Sequence, residues 1–214
     1  DAIVLTHAHV DHIAMLPVLF KYGYRGPVYC TAPTRDLMTL LQMDYIKVNQ
    51  AEGSEPPYSK ADIQECIKHV VDVRWGDKTD IAPDIKVTLE NAGHILGSSS
   101  VYMQIGEGNS EHRLLFSGDI KYERSWLFDS ATVRFPKVET LVIESTYGGP
   151  QDFQPNRQDA TQELQDLVRL ALSRGGKIFC PVFAVGRSQE VMIALDQLFK
   201  SGDVQPVTVW LDGM

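Results

Sequence analysis

Apolar positions along this 214-residue chain recur in two different periods, and the changes of period divide it into three stretches. Residues 1–53 read strand, helix, strand, helix. The unbroken apolar run Ala2-Ile3-Val4-Leu5 has the character of a buried strand. A short apolar helix over residues 13–22 follows, interrupted by Pro17, and then a short strand over 27–30. Leu37, Leu41 and Val48 mark one face of a helix introduced by Thr31 and Pro33. Residues 53–57 break that pattern, and Ser59-Lys60-Ala61-Asp62 opens another helix with a capping-box-like start.

Residues 70–143 are strand-rich, with strands expected over 70–73, 85–91, 99–105, 113–116 and 140–143, separated by turns at Trp75-Gly76-Asp77 and Gly106-Glu107-Gly108-Asn109. Meandering strands flanked by helices predict an α+β layered sandwich. After Tyr147-Gly148-Gly149-Pro150 the character changes. Pro155 opens a long helix with Ala160, Leu164, Leu167, Val168 and Ala171 on one face, ending at Gly175-Gly176. A strand over 177–182, a helix over 186–200 and a strand over 207–211 complete an alternation that predicts a parallel, Rossmann-like sheet. The domain boundary is placed at 149/150.

Composition changes this picture little. With 43% hydrophobic and 22% charged residues the chain reads as an ordinary soluble globular protein, and no apolar run reaches membrane-spanning length. It opens in mid-strand without a methionine, so its true start is expected upstream. Cys30, Cys66 and Cys180 lie far apart in apolar or amphipathic stretches, which suits buried packing in a reducing, cytoplasmic setting better than disulfides. The net charge of −8 argues against a nucleic-acid partner, but metal-binding carboxylates are part of that count and two bound dications would offset half of it.

The chemistry is concentrated in Leu5-Thr6-His7-Ala8-His9-Val10-Asp11-His12. The chain has six histidines, and three of them fall within these positions, so chance clustering explains the string poorly. In an extended chain residues two apart point the same way, so His7 and His9 can face one metal ion. Where the chain turns into a helix, Asp11 and His12 can meet a second. His94, between Gly93 and Gly97 after a strand, and Asp119, which ends Leu114-Leu115-Phe116-Ser117-Gly118-Asp119, are the further candidate ligands. The carboxylate of Asp119 can bridge two cations. Taken singly, Gly-His and Gly-Asp would read as turns; beside HxHxDH they read as ligands.

The order HxHxDH, lone His, Ser-Gly-Asp resembles the ligand series of the metallo-β-lactamase superfamily. Glu144-Ser145-Thr146-Tyr147-Gly148 resembles the acidic motif of its β-CASP nucleases, and Pro181-Val182-Phe183-Ala184-Val185-Gly186-Arg187-Ser188-Gln189-Glu190 the start of their inserted cassette. Phe20-Lys21-Tyr22-Gly23-Tyr24, residues 33–38 and Asp212-Gly213-Met214 are most similar to archaeal homologues of the nuclease subunit of the cleavage and polyadenylation specificity factor. The resemblance implies an incomplete αββα sandwich over residues 1–149 and the first part of an inserted β-CASP domain over 150–214. It puts His7, His9 and His94 on one Zn2+, Asp11 and His12 on a second, and Asp119 between them, with single-stranded RNA hydrolysed by metal-activated hydroxide in 3′-end processing or transcription termination. It also implies endonuclease and 5′-to-3′ exonuclease action, and a homodimer through regions outside this sequence.

Asp11 is then the group to orient the hydroxide and take its proton, and Glu144 pairs in the family with a histidine of a later motif. That histidine, a later second-zinc histidine and an early supporting aspartate are not in this sequence. A complete first zinc site, a weakened second one and little activity are expected of residues 1–214 alone. Ser145 and Thr146 beside Glu144, and Arg187 and Ser188 near a helix start, are candidate substrate contacts; an ordinary glycine turn with a serine cap explains the latter pair equally well. Lys21, Arg25 and Arg35 read as scattered surface charge rather than a basic rim, and His69 and His112 as structural. Trp75, Trp126 and Trp210 read as packing residues. The rival readings are a DNA-acting β-CASP nuclease, a glyoxalase-type thioesterase and an inactive scaffold subunit. The intact ligand series counts against the last of these.

Overall fold

A computed structural model describes residues 1–212; Gly213 and Met214, the end of one string quoted above, lie outside the described residues. The chain divides into two compact units, Asp1–Glu144 and the part from Ser145 onward.

In the first unit a small parallel sheet is built from β1 (Ile3–Val4), β2 (Val28–Cys30) and β3 (Val70–Asp72), in that order. The crossovers carry helices, as parallel pairing requires: α1 (Val10–Ile13) and α2 (Leu16–Lys21) after β1, then α3 (Ala32–Ala51) and α4 (Lys60–Lys68) after β2. Pro17 stands in the first turn of α2, where its missing N–H has no partner to lose, so the helix expected over 13–22 with an interruption at Pro17 runs unbroken from Leu16 instead. Thr31 caps α3 by accepting the Thr34 N–H at 3.4 Å. Ser59 and Asp62 form the reciprocal capping box on α4. Helices α2, α3 and α4 share an apolar cluster of Ile46, Tyr58 and Ile63 with Val18, Met43 and Ile67.

The second sheet has five strands in sequential order: β4 (Lys78–Ala82), β5 (Ile85–Asn91), β6 (Ser99–Ile105), β7 (His112–Phe116) and β8 (Thr140–Val142). All neighbours are antiparallel except β7 and β8. Its inner face alternates along each strand: Val87 opposes Met103, Leu89 opposes Val101, and Val101 opposes Phe116. Val87, Leu89, Val101 and Met103 meet Val4 and Tyr29 of the first sheet and Val73 just past the end of β3, which places the core between the sheets. Strand β4 was not anticipated; it is an edge strand of polar composition with an irregular register at Asp80–Ala82, and lacks the apolar alternation that marks a strand. On the outer face Tyr102 stacks on Phe135 at 6.3 Å between centroids. Among the described residues of this unit no helix follows β4–β8, so helix, sheet and sheet layers are present and a second helix layer is not.

The second unit contains α5 (Arg157–Ser173) and α6 (Arg187–Ser201). Asn156 caps α5 through the Asp159 N–H at 2.9 Å, and Gly202, left-handed at φ +80°, closes α6. The helices pack through Val168, Ala194 and Leu198, and Arg157 donates to Glu190 at 2.9 Å. The α+β class stands, but the strands expected over 177–182 and 207–211 do not form among the described residues. An apolar run specifies burial without specifying a ladder partner, and a strand exists only where one is supplied. Phe179 and Trp210 are accordingly about 90% exposed in the structure (90% and 88%).

Candidate metal centre

The residues of the HxHxDH string leave the sheet earlier than the two-residue alternation implies. Leu5 still donates to the Tyr29 carbonyl at 2.9 Å, but β2 ends at Cys30 and leaves residues beyond Leu5 without a ladder partner. His7 therefore sits in a loop, and His9 is the N-cap of α1 with φ −62° and ψ 147°. Asp11 and His12 occupy α1, as expected from a chain that turns into a helix.

Two further loops meet this one. After β5, Asn91 accepts the Gly93 N–H at 2.9 Å, and the Ser98 hydroxyl accepts the N–H groups of His94 and Ile95 at 3.0 and 3.1 Å. After β7, Gly118 takes φ +57° with its α-carbon pressed on Thr6; a Cβ there would lie 2.7 Å from Thr6 Cβ. Ile120 then donates its N–H to Glu144 Oε1 at 2.9 Å, and Glu144 donates its own N–H to the Ser117 hydroxyl at 3.1 Å. Glu144, just past the end of β8, thus braces the loop that carries Asp119.

The side chains converge on one point. His7 Nε2 and His94 Nε2 lie 3.2 and 3.0 Å from His9 Nδ1, and both lie close to Asp119 Oδ2, at 3.6 and 3.5 Å. One ligand atom from each of His7, His9, His94 and Asp119 lies within 4.8 Å of all the others. The other oxygen of Asp119, Oδ1, faces His12 Nε2 at 3.6 Å, and His12 Nε2 is 3.5 Å from Asp11 Oδ2. The two oxygens of one carboxylate therefore address two separate sets of side chains. Asp11 is the open member, with its side chain 78% exposed.

Burial sets the protonation of His7. His7 is fully buried, and desolvation, reinforced by His12, His94 and His9, pulls its pKa down to about 2. The ring is held neutral, with a lone pair to offer, and Thr6 Oγ1 at 3.1 Å from Nδ1 leaves Nε2 to face the cluster. Desolvation also raises the Asp119 pKa, with the charges of Glu144 and Asp11 adding to it and that of His12 opposing. A divalent cation would reverse this, because its charge stabilises the carboxylate. Three imidazole nitrogens and a carboxylate oxygen around one centre suit a borderline divalent metal.

The remaining candidates are distributed. Ser145 and Thr146 are exposed in the turn closed by the Gly148 N–H on the Ser145 carbonyl. Arg187 pairs with Glu190 at 3.1 Å, Ser188 donates its hydroxyl to the Ala184 carbonyl at 2.7 Å, and the Gly186 N–H is taken by Gln189 Oε1 at 2.7 Å. The start of α6 is thus largely capped from within. Lys21, Arg25 and Arg35 are engaged by the Pro57 carbonyl, the Phe20 carbonyl and Asp72 respectively. His69 closes α4 beside Glu65, and His112 opens β7 against Thr140. Cys30 and Cys66 are buried, but Cys180 is exposed because the strand expected to bury it does not form. Sequence reasoning did not nominate Thr34, Ser98 or Gln42, buried polar residues around the ligand loops; polar positions on otherwise apolar faces are the signal that could have marked them.

This fold and ligand order define a metallo-β-lactamase domain, and the family model described as a β-lactamase superfamily domain matches residues 1–182. The chain belongs to that superfamily. It is similar to proteins named transcription termination factor FttA: 49% identical over 214 residues to that of Lokiarchaeum sp., 52% over 214 to that of Methanothermobacter thermautotrophicus, and 50% over 215 to that of Thermococcus kodakarensis. In each case the match covers 100% of this chain and 33% of the relative, so the chain spans about a third of their length. The likeness to β-CASP proteins read from the Glu144 string stands, as does the archaeal likeness read from residues 20–24 and 33–38.

Proposed function

We propose that this polypeptide contributes most of the metal-binding residues of a zinc-dependent ribonuclease that cleaves single-stranded RNA during transcription termination. The observation that carries the reading is the split carboxylate: Asp119 Oδ2 faces His7 and His94 while Oδ1 faces His12. His7, His9, His94 and Asp119 would hold one Zn2+, and Asp11 and His12 with Asp119 would supply part of a second site. When bound, such ions supply a water of lowered pKa and neutralise charge on the phosphoryl oxygens. His7 stays neutral and keeps its lone pair available. Asp11, exposed beside His12, is placed to accept the proton of the attacking water and to orient it. Glu144 braces the loop that carries Asp119 through the Ile120 N–H, and a histidine of a later motif would pair with it to help protonate the leaving oxygen.

Ser145 and Thr146 present hydroxyls for phosphate or ribose contacts. Arg187, half-exposed, keeps donors beyond its contact with Glu190 for an RNA phosphate. Ser188 can join it on turning from Ala184. The relatives' name, transcription termination factor, supports the RNA assignment. The test is metal analysis of the full-length polypeptide followed by cleavage of RNA and DNA single strands of matched sequence. Zinc at about two per chain with cleavage of RNA alone is expected; preference for DNA would overturn the substrate, and metal-free protein would overturn the centre.

A further inference from the structure

Helix α3 carries none of the candidate ligands, yet its buried face is polar at two places that touch the segments bearing them. Thr34, Met38 and Gln42 stand at i, i+4 and i+8, on one side of the helix, and all three are fully buried. Apolar packing explains Met38. It does not explain Thr34 and Gln42, since burying a hydroxyl or a carboxamide costs free energy unless a specific partner is gained.

Each has such a partner. The hydroxyls of Thr34 and Thr31 lie 3.0 and 2.8 Å from the carbonyl oxygen of Gly97, three residues beyond His94. Gly97 is at φ +79° and approaches so closely that a Cβ would stand 2.7 Å from Thr31 Oγ1 and 2.9 Å from the Thr34 nitrogen. Eight residues along α3, about 12 Å at the usual rise, the Gln42 amide donates to the carbonyl of Ile13 at 2.9 Å. Ile13 is the last residue of α1 and follows His12 directly. Its carbonyl is one of those a helix end leaves without an intrahelical partner.

We infer that α3 is the positioning strut of the metal centre: Thr34, with Thr31, fixes the His94 loop through the Gly97 carbonyl, and Gln42 fixes the Asp11–His12 helix through the Ile13 carbonyl. One rigid helix thereby sets the separation of two ligand-bearing segments that are 82 residues apart between His12 and His94. Neither residue contacts a ligand atom, so both are positioning residues. The inference rests on the reading that the cluster holds metal.

The experiment measures Zn2+ affinity of the full-length polypeptide by competition with a chromophoric chelator, with the visible spectrum of Co2+-loaded protein as a report on coordination geometry. Thr34→Val and Gln42→Leu remove the hydrogen bonds, Thr34→Ser keeps the hydroxyl, and Met38→Leu alters packing on the same face without touching either carbonyl. Thr34→Val and Gln42→Leu are expected to weaken Zn2+ binding by about 10- to 100-fold, the range seen when groups orienting metal ligands are removed, and to change the Co2+ bands. Thr34→Ser and Met38→Leu should bind as the wild type does. Wild-type affinity in both Thr34→Val and Gln42→Leu, or an equal loss in Met38→Leu, overturns the strut. If Thr34→Val is unfolded by far-UV circular dichroism, Thr34→Ser decides: retained affinity supports the strut and lost affinity overturns it. A wild-type protein that binds no Zn2+ would instead overturn the metal reading itself.

Discussion

Gly118→Ala should damage this protein far more than the addition of one methyl group suggests. Gly118 adopts φ +57°, and an alanine Cβ there would fall 2.7 Å from Thr6 Cβ and 2.9 Å from Thr6 Cγ2. The left-handed backbone alone costs an L-residue roughly 1–2 kcal/mol. Overpacking against a side chain that cannot retreat adds about 1–3 kcal/mol, giving roughly 2–5 kcal/mol in all. Gly53→Ala is the control, because Gly53 has φ +73° with nothing within 4 Å of its virtual Cβ, so only the backbone contribution applies. Hydrogen exchange of peptides spanning β5 to β7 reads the opening free energy of this unit without assuming two-state unfolding of a two-unit chain. At 1.36 kcal/mol per tenfold, Gly118→Ala should reduce protection by about 30-fold or more and Gly53→Ala by about 5- to 30-fold. Thr6 also touches His7 Nδ1 at 3.1 Å, so the displaced side chain should weaken metal binding as well. Equal protection in the two variants would refute the collision argument.

Other outcomes follow from the same geometry. A thiol reagent under native conditions should modify Cys180 alone, since Cys30 and Cys66 are buried and their thiols are pushed up to about 12; mass spectrometry of the labelled peptides checks this. Ser59→Ala should cost about 1 kcal/mol in the stability of the α4 region, read by exchange of its first-turn amides. The Asp62 carboxyl is held below its ordinary value by the Ser59 N–H and hydroxyl, so its share of that cap is present above pH 3.8 and fades as pH falls through the lower folded value; an acid titration of wild type against Asp62→Ala should show the difference between them shrinking as pH drops. Arg157→Met should loosen α5 from α6 by about 1 kcal/mol, because it leaves the nearly buried Glu190 with only Arg187; amide exchange in α6 would show it.

Legibility in the sequence followed how local the determining forces are. The Thr31 and Ser59 caps and the alternating β5 and β6 could be read because each is decided by neighbours within a few residues. The grouping of His7, His9, His94 and Asp119 was readable too, since few other arrangements explain those residue types in that order. What was not readable depends on partners distant in the chain. Strand β4 exists because β5 lies beside it, and the run at residues 177–182 remains outside any sheet because no strand pairs with it among the described residues. The strand expected over residues 2–5 is cut to Ile3–Val4, because β2 offers partners only from Val28 to Cys30. The roles of Thr34 and Gln42 could be recognised only once Gly97 and Ile13 were seen against α3.

The central claim is that the side chains meeting at Asp119 form a metal centre that cleaves RNA. Its most direct test is a titration of Zn2+ into metal-stripped full-length polypeptide, with RNA cleavage and bound metal followed in the same samples. Cleavage should rise with occupancy of the site and be abolished by Asp119→Asn, which removes the charge that both sets of side chains face. Cleavage that persists without bound metal, or that survives Asp119→Asn undiminished, would contradict the account.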